Sequence, residues 1–246
     1  MSNYFLWNDK KSTEYGCVMT AEPNIVIPKE RVTFQSVPGR SGTLALLEGE
    51  YVYDDITIDL RCYIQDLKNI TTIANWLRGH GKLVLPSTGK AYYGRLANQI
   101  SITQIMRGRK NRNFTITMRC EPFAYDTLSR SHTITDYSGG DIIYYGGTAP
   151  AKPRIIVNAT GDFDLTVNGA VINVSSPDGQ SSTDSSIIID SDLMECMELD
   201  GVTLANTRVI MDDFPVIQPL SYLTVSWGEN DGVTSVIVDE RGRDIV

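Results

Sequence analysis

Hydrophobic and polar residues alternate with period two along much of this chain. The clearest run is Ile56–Ile64, where Ile56, Ile58, Leu60, Cys62 and Ile64 fall on one face of a half-buried strand. Phe114, Ile116 and Met118 alternate in the same way, as do Ile100, Ile102 and Met106, so residues 100–106 and 114–120 are predicted to be two arms of a hairpin. Shorter strands are expected at 44–47, at 82–85 (stopped by Pro86) and at 91–96. One stretch changes period. Leu67, Ile70, Ile73, Ala74 and Leu77 recur at helical spacing, with Asp66 as N-cap and Gly79 and Gly81 as stop signals, which predicts a helix over 66–78. Its apolar stripe requires a sheet face to pack on. His80, between two glycines, reads as a solvated residue after that helix.

The second half is a series of short strand patterns at 154–158, 163–167, 170–174, 186–190, 208–211, 222–227 and 233–239, with a further one at 142–145. Asn168-Gly169 is a strong hairpin signal, because a primed two-residue turn needs positive φ at both positions. Strands at this spacing predict a β-sandwich. Gly- and Pro-rich loops at 138–140 and 146–153 place a boundary near 126–140. The expected architecture is mainly β, with an N-terminal unit over 1–130 containing the helix and a C-terminal sandwich over 131–246.

Between the first strands lies a compound turn, Val37-Pro38-Gly39-Arg40-Ser41-Gly42. Proline fixes φ and the two glycines permit positive φ. Arg40 is the long charged side chain at the tip. No phosphate-loop pattern surrounds it, so it is read as a tight connection that presents Arg40 to a neighbour. The segment before it is bracketed by Pro23 and Pro28, which restrict it to an edge strand or a partner's surface. A second exposed feature is Arg107, Arg109, Lys110 and Arg112, four cations in six residues at a predicted hairpin tip. No nucleic-acid-binding motif accompanies them, which favours a solvated loop or one paired with an acidic neighbouring subunit.

Charge is distributed unevenly. Residues 1–125 carry 16 Lys+Arg against 11 Asp+Glu, whereas 126–246 carry 6 against 19. Such a split marks two units facing different partners. The acidic residues Asp190, Asp192, Glu195, Glu198 and Asp200 do not follow a calcium-loop pattern and are expected to form a solvated edge. Asp54-Asp55 is read as a turn or bulge. The four cysteines, Cys17, Cys62, Cys120 and Cys196, are far apart and are expected to be buried free thiols. The sequence carries no nucleophile motif, no metal-ligand spacing and no cofactor fingerprint, so it is read as non-enzymatic with no cofactor. The N-terminus lacks a signal-peptide pattern, and no apolar run has membrane-spanning length.

Several motifs together resemble phage distal tail proteins. They are the turn Pro38-Gly39-Arg40-Ser41-Gly42, the helix region, Tyr144-Tyr145-Gly146-Gly147-Thr148-Ala149-Pro150 leading into Ile155-Ile156-Val157, the hairpin Asp164 to Gly169, Ile187-Ile188-Ile189-Asp190-Ser191, and Phe214-Pro215 followed by Leu223 to Trp227. Departures are Ser41 where Asp is common, Leu220-Ser221 where the family has Gly-Xaa-Asn, and the end ERGRDIV in place of an aromatic tail. The resemblance implies a tail-tube-like N-terminal barrel or sandwich with one helix, then a galectin-like sandwich. It also implies a homo-hexameric ring at the tip of a long non-contractile tail, assembled in the host bacterial cytoplasm. The expected partners are the tail tube protein, the tail-associated fibre or lysin hub and receptor-binding proteins, with no specific nucleic acid and no membrane insertion. The residues 37–42 would then sit at a subunit interface. The alternative is a carbohydrate-binding module on the sandwich, with Trp227, Tyr144 and Tyr145 as candidate sugar-stacking residues.

Overall fold

The computed structural model describes residues 3–64, 69–104, 112–128, 130–138, 142–229 and 231–246. The chain forms two compact units, Met1–Thr127 with Asp244–Val246, and Leu128–Arg243.

The first unit is a curled half-barrel sheet. In chain order its strands are β1 (Leu6–Trp7), β2 (Lys10–Lys11), β3 (Cys17–Met19), β6 (Ile56–Ile64), β7 (His80–Leu85), β8 (Lys90–Leu96), β9 (Thr103–Gln104), β10 (Arg112–Cys120) and β11 (Ala124–Asp126); β4 (Val32–Ser36) and β5 (Thr43–Leu47) form a separate two-stranded sheet. The main sheet runs β2-β1-β7-β8-β10-β6-β3. The predicted strand Ile56–Ile64 is present, and its alternation is realised as strict inward and outward facing. Its main partner is not the next strand pattern in sequence. β10 pairs antiparallel with β6 from Arg112↔Ile64 to Cys120↔Ile56, which places Ile116 opposite Leu60 and Phe114 opposite Cys62. The predicted 100–106 arm contributes only Thr103–Gln104 to β10, and residues 105–111 lie outside the described residues.

The helix α1 spans Ile70–Trp76 and ends two residues before the expected Arg78; Asp66 and Leu67 lie outside the described residues. Ile73 and Leu77 are buried, whereas Ala74 is exposed. Trp76 stacks on Phe5 at 5.5 Å and on Tyr15 at 4.4 Å, and its Nε1 donates to the Trp7 carbonyl at 3.2 Å. This aromatic stack fastens the helix to the N-terminal strands. Gly79 takes a positive φ of 89° after the helix, and His80 then opens β7. His80 is exposed, as expected, but it is the first residue of a strand, with its ring 3.8 Å from Glu121. Asp54 and Asp55 form neither the expected turn nor a bulge; they lie in irregular backbone just before β6. Asp54 accepts from Arg31 and Asp55 from Arg119.

The second unit is a two-sheet sandwich. Its strands are β12 (Ser131–Ile134), β13 (Ile142–Tyr145), β14 (Arg154–Thr160), β15 (Phe163–Val167), β16 (Ala170–Val174), β17 (Ile187–Asp190), β18 (Glu195–Met197), β19 (Val209–Ile210), β20 (Ser221–Trp227) and β21 (Gly232–Asp239). One sheet runs β12-β21-β14-β17-β18, the other β13-β20-β15-β16-β19. Asn168 and Gly169 adopt φ 50° and 84°, as the primed turn between β15 and β16 demands. Between the sheets, Ile155, Val157, Leu165, Ile189, Leu223, Val225 and Val236 form the core.

The expected solvated acidic edge is corrected at its first member. Asp190 is only 2% exposed. Arg241 holds it with two bonds of 2.7 and 2.8 Å, and the backbone N–H groups of Asp192 and Leu193 donate to it. Burial alone would raise its pKa, but Arg241 and the two N–H donors together hold it below the usual carboxylate range. A depressed folded-state pKa contributes stability above the unfolded value, and that stability is lost as pH falls through the acidic range.

The four thiols are free and buried. Burial raises Cys120 to about 12 and Cys196 to about 11, and contact with Cys17 followed by burial pushes Cys62 up as well.

Four measurements check this account. Leu60→Ala should cost about 2–5 kcal/mol in urea unfolding, because Leu60 is fully buried opposite Ile116. Asp190→Asn should cost about 2–3 kcal/mol at pH 7, the lower end for a broken buried pair because Arg241 keeps contact with water. The wild-type urea midpoint should fall on acidification below about pH 4 with a component that Asp190→Asn lacks. Native protein at pH 8 should resist a thiol reagent at all four cysteines and react fully once unfolded; rapid native labelling would contradict the burial of these thiolate precursors.

Candidate assembly interface

Residues 21–29 run without regular structure through Pro23 and Pro28. An extended backbone points alternate side chains to opposite sides. Val26 accordingly packs against the first unit's core, while Ile25 and Ile27 are exposed, Ile27 at 74%. Glu30 bridges Tyr53, and the backbone bonds Arg31 N–H to Val52 O and Asp54 N–H to Lys29 O tie the base of the following hairpin to the segment before β6. The Arg31 guanidinium reaches Asp54 at 3.1 Å and Glu48 at 3.9 Å. Both pairs are about half exposed, so each contributes at most about 1 kcal/mol.

From that base β4 and β5 pair antiparallel, from Val32↔Leu47 to Ser36↔Thr43. Val37 to Gly42 form the tip and all are exposed. The Arg40 N–H donates to Val37 O at 3.2 Å, and Gly39 and Gly42 take φ of 81° and 82°. A Cβ at either glycine would meet no atom within 4 Å, so backbone conformation alone calls for glycine there. Arg40 stands at an exposed tip, as the sequence expects.

The apolar character of this hairpin is the feature that sequence reading passed over. Val32, Phe34, Ala45 and Leu47 share one face, with Phe34 opposite Ala45 and Val32 opposite Leu47. Phe34 is 64% and Leu47 65% exposed. Leu46, on the opposite face, is exposed as well. The signal was present in the alternation V-T-F across from L-A-L-L, but neither run is long enough to show in advance that it lies off the main sheet. Among the described residues each strand has the other as its sheet partner, which leaves an outer edge on both. Main-chain groups at such edges, with apolar side chains beside them, can receive or become a strand of another chain.

The other candidate residues fare differently. Arg107, Arg109 and Lys110 lie outside the described residues; Arg112 opens β10, opposite Ile64 and Gln104. Two of the three sugar-stacking candidates are corrected. Tyr145 is buried; its hydroxyl bonds the Ala149 carbonyl at 2.7 Å and accepts from the Arg243 N–H at 2.9 Å. Gly147 packs so closely on that ring that a Cβ would overlap it, which accounts for a glycine there. Trp227 is buried opposite Leu165. Both were drawn inward by the alternation that leaves Tyr144 and Tyr222 outside, where those two rings lie 5.3 Å apart. Among the described residues no group of three His, Cys, Asp or Glu side chains gathers at metal-binding distance.

No family model and no curated protein matches this sequence. Among solved structures, a chain of the phage p2 baseplate in its activated conformation with Sr aligns at 9% identity over 94% of this chain and 92% of that one, with a TM-score of 0.47. The SPP1 Dit (gp 19.1) protein, described as a paradigm of the hub adsorption apparatus in phages infecting Gram-positive bacteria, aligns at 11% identity over 96% of this chain and 98% of that chain, with a TM-score of 0.70. At that identity the likeness is one of fold, and over nearly its whole length this chain has the fold of a phage distal tail protein.

Proposed function

We propose that this chain is a structural hub component of a phage tail tip, six copies of which close a ring that joins the tail tube to the fibre or lysin hub and the receptor-binding proteins. The observation that carries the reading is the exposed hairpin β4–β5. An isolated two-stranded hairpin is marginal in water, and one with Phe34 and Leu47 facing solvent is more so. Covering apolar surface contributes roughly 25 cal/mol per Å². A hairpin meeting a different patch on the next copy is a heterologous contact, the kind that closes rings. Full-length fold likeness to SPP1 Dit supports the same role. In this reading the unit over 1–130 forms the ring and the sandwich over 131–246 carries peripheral partners. The charge split suits acidic partners for the first and cationic ones for the second. The rival sugar-binding role keeps only Tyr144 of its three proposed aromatic residues at the surface, now beside Tyr222.

Light scattering and negative-stain imaging test the proposal. Purified protein, alone or with its tail partners, is expected to form particles of about six 27.3 kDa chains with six-fold symmetry and an axial hole. Phe34→Asp with Leu47→Asp should abolish the ring while leaving the melting temperature within a few degrees, because both side chains are already exposed. Arg40→Glu should also block closure. Normal rings from these variants would place the interface elsewhere, and a stable monomer that is absent from virions would overturn the role itself.

A further inference from the structure

The main sheet of the first unit carries a polar pocket of about 360 Å³, room for one small ligand. Asp55, His80, Tyr93, Arg95, Arg119 and Glu121 line it. Strand register brings them together. Arg95 on β8 lies directly opposite His80 on β7 and Arg119 on β10. One residue along, the Glu121 N–H donates to the Tyr93 carbonyl at 2.8 Å. Gly94 stands between Tyr93 and Arg95, where a Cβ would overlap the Arg119 carbonyl. Facing guanidiniums on neighbouring strands cost stability unless each finds a partner. Arg119 has one, its Nε donating to Asp55 at 2.7 Å. Arg95 has none: among the described residues neither its guanidinium nor the Tyr93 hydroxyl has a hydrogen-bond partner.

The groups around these two free donors are held in place. Tyr125 meets the Tyr93 ring edge-on at 5.0 Å, and its hydroxyl donates to Glu121 at 3.1 Å. The His80 ring lies parallel to Tyr93 within 8°, and its Nε2 is 3.8 Å from Glu121. An aromatic ring, two carboxylates and two guanidiniums are thus set before any ligand arrives, which lowers the ordering cost of binding. Their chemistry narrows the occupant. Arg95 and Arg119 balance Asp55 and Glu121 in formal charge. An anion would face two carboxylates, a cation would face two guanidiniums, and an apolar group would strand all four from water. A hydroxyl group both donates and accepts. A ring carrying several hydroxyls can donate to the carboxylates, accept from Arg95 and Tyr93, and lay its C–H face on an aromatic side chain.

We propose that this pocket binds a neutral sugar residue, with Tyr93 as the stacking ring, Arg95 as the main donor and Glu121 as the main acceptor. The site shares no residue with the hairpin β4–β5, so the ring contact and the sugar site can fail independently. It is also distinct from the sugar-stacking candidates on the sandwich, of which Tyr144 is the exposed one.

The test uses the full chain. It is passed over an array of immobilised neutral, amino-sugar and uronic-acid oligosaccharides, and a retained sugar is titrated by calorimetry. The expected result is retention on neutral sugars. Binding should weaken by about tenfold or more in Arg95→Ala and in Glu121→Gln, the loss of one hydrogen bond to a charged group. Arg95 is exposed and has no partner to lose, so Arg95→Ala should melt within a few degrees of the wild type. Tyr144→Ala should bind as the wild type does. No retention, retention on charged sugars alone, or equal binding by Arg95→Ala would overturn the proposal. So would loss of binding in Tyr144→Ala, which would move the site to the sandwich, and loss of the ring in Arg95→Ala, which would make the pocket a contact between copies.

Discussion

The pairing of β6 with β10 is the contact on which the first unit depends. Nine residues of each strand lie in register, and their inward side chains, Leu60, Ile64, Ile116 and Met118 among them, form a continuous buried row. Neither strand could be stable alone, because each exposes half its side chains and all its edge groups until it is paired. Once formed, the ladder supports β3 on one edge and β8 on the other, and the half-barrel curls around the core into which Ile73 and Leu77 also pack. The two strands are separated by roughly fifty residues of other structure, so the entropy of closing that loop is met only when the apolar row is complete.

The two units satisfy their polar groups in contrasting ways. In the sandwich, two carboxylates are taken inside with partners: Asp190 is held by Arg241 and two backbone N–H groups, and Glu240, also buried, meets His132 at 2.7 Å. Such groups cost desolvation, and they specify one arrangement of the chain because removing either partner strands the other. In the hairpin β4–β5 the imbalance is reversed. Polar groups are exposed at little cost, and it is apolar side chains that lack partners. Exposed apolar side chains grouped on one hairpin are the kind of surface that marks an interaction site, which is why the proposed assembly contact is placed there.

How much of this was legible depends on distance along the chain. The strand Ile56–Ile64 and the turn at Asn168-Gly169 were readable because their causes are local: side-chain alternation and positive φ. The helix was readable in kind and in its inward residues Ile73 and Leu77, though Ala74, at the right spacing, faces solvent. β18 was missed, because Glu195–Met197 is too short to show a period and sits among acidic residues. The assignment of Asp190 to a solvated edge failed for a related reason. Its partner Arg241 lies fifty-one residues away, and nothing in the surrounding sequence marks it. Tyr144, Tyr145 and Trp227 are equally aromatic in sequence, yet register on β13 and β20 puts one outside and two inside.

The sequence by itself determined the period of each element, the places where the chain turns and the unequal charge of its two halves, because these follow from single residues and near neighbours. Only the tertiary structure decided which strands meet, which carboxylates are buried and which apolar residues are left facing water. Those outcomes depend on contacts between residues far apart in the chain, and a one-residue change of register would reverse which face is buried. The hairpin β4–β5 is a product of that second kind, with Phe34 and Leu47 left facing water among the described residues.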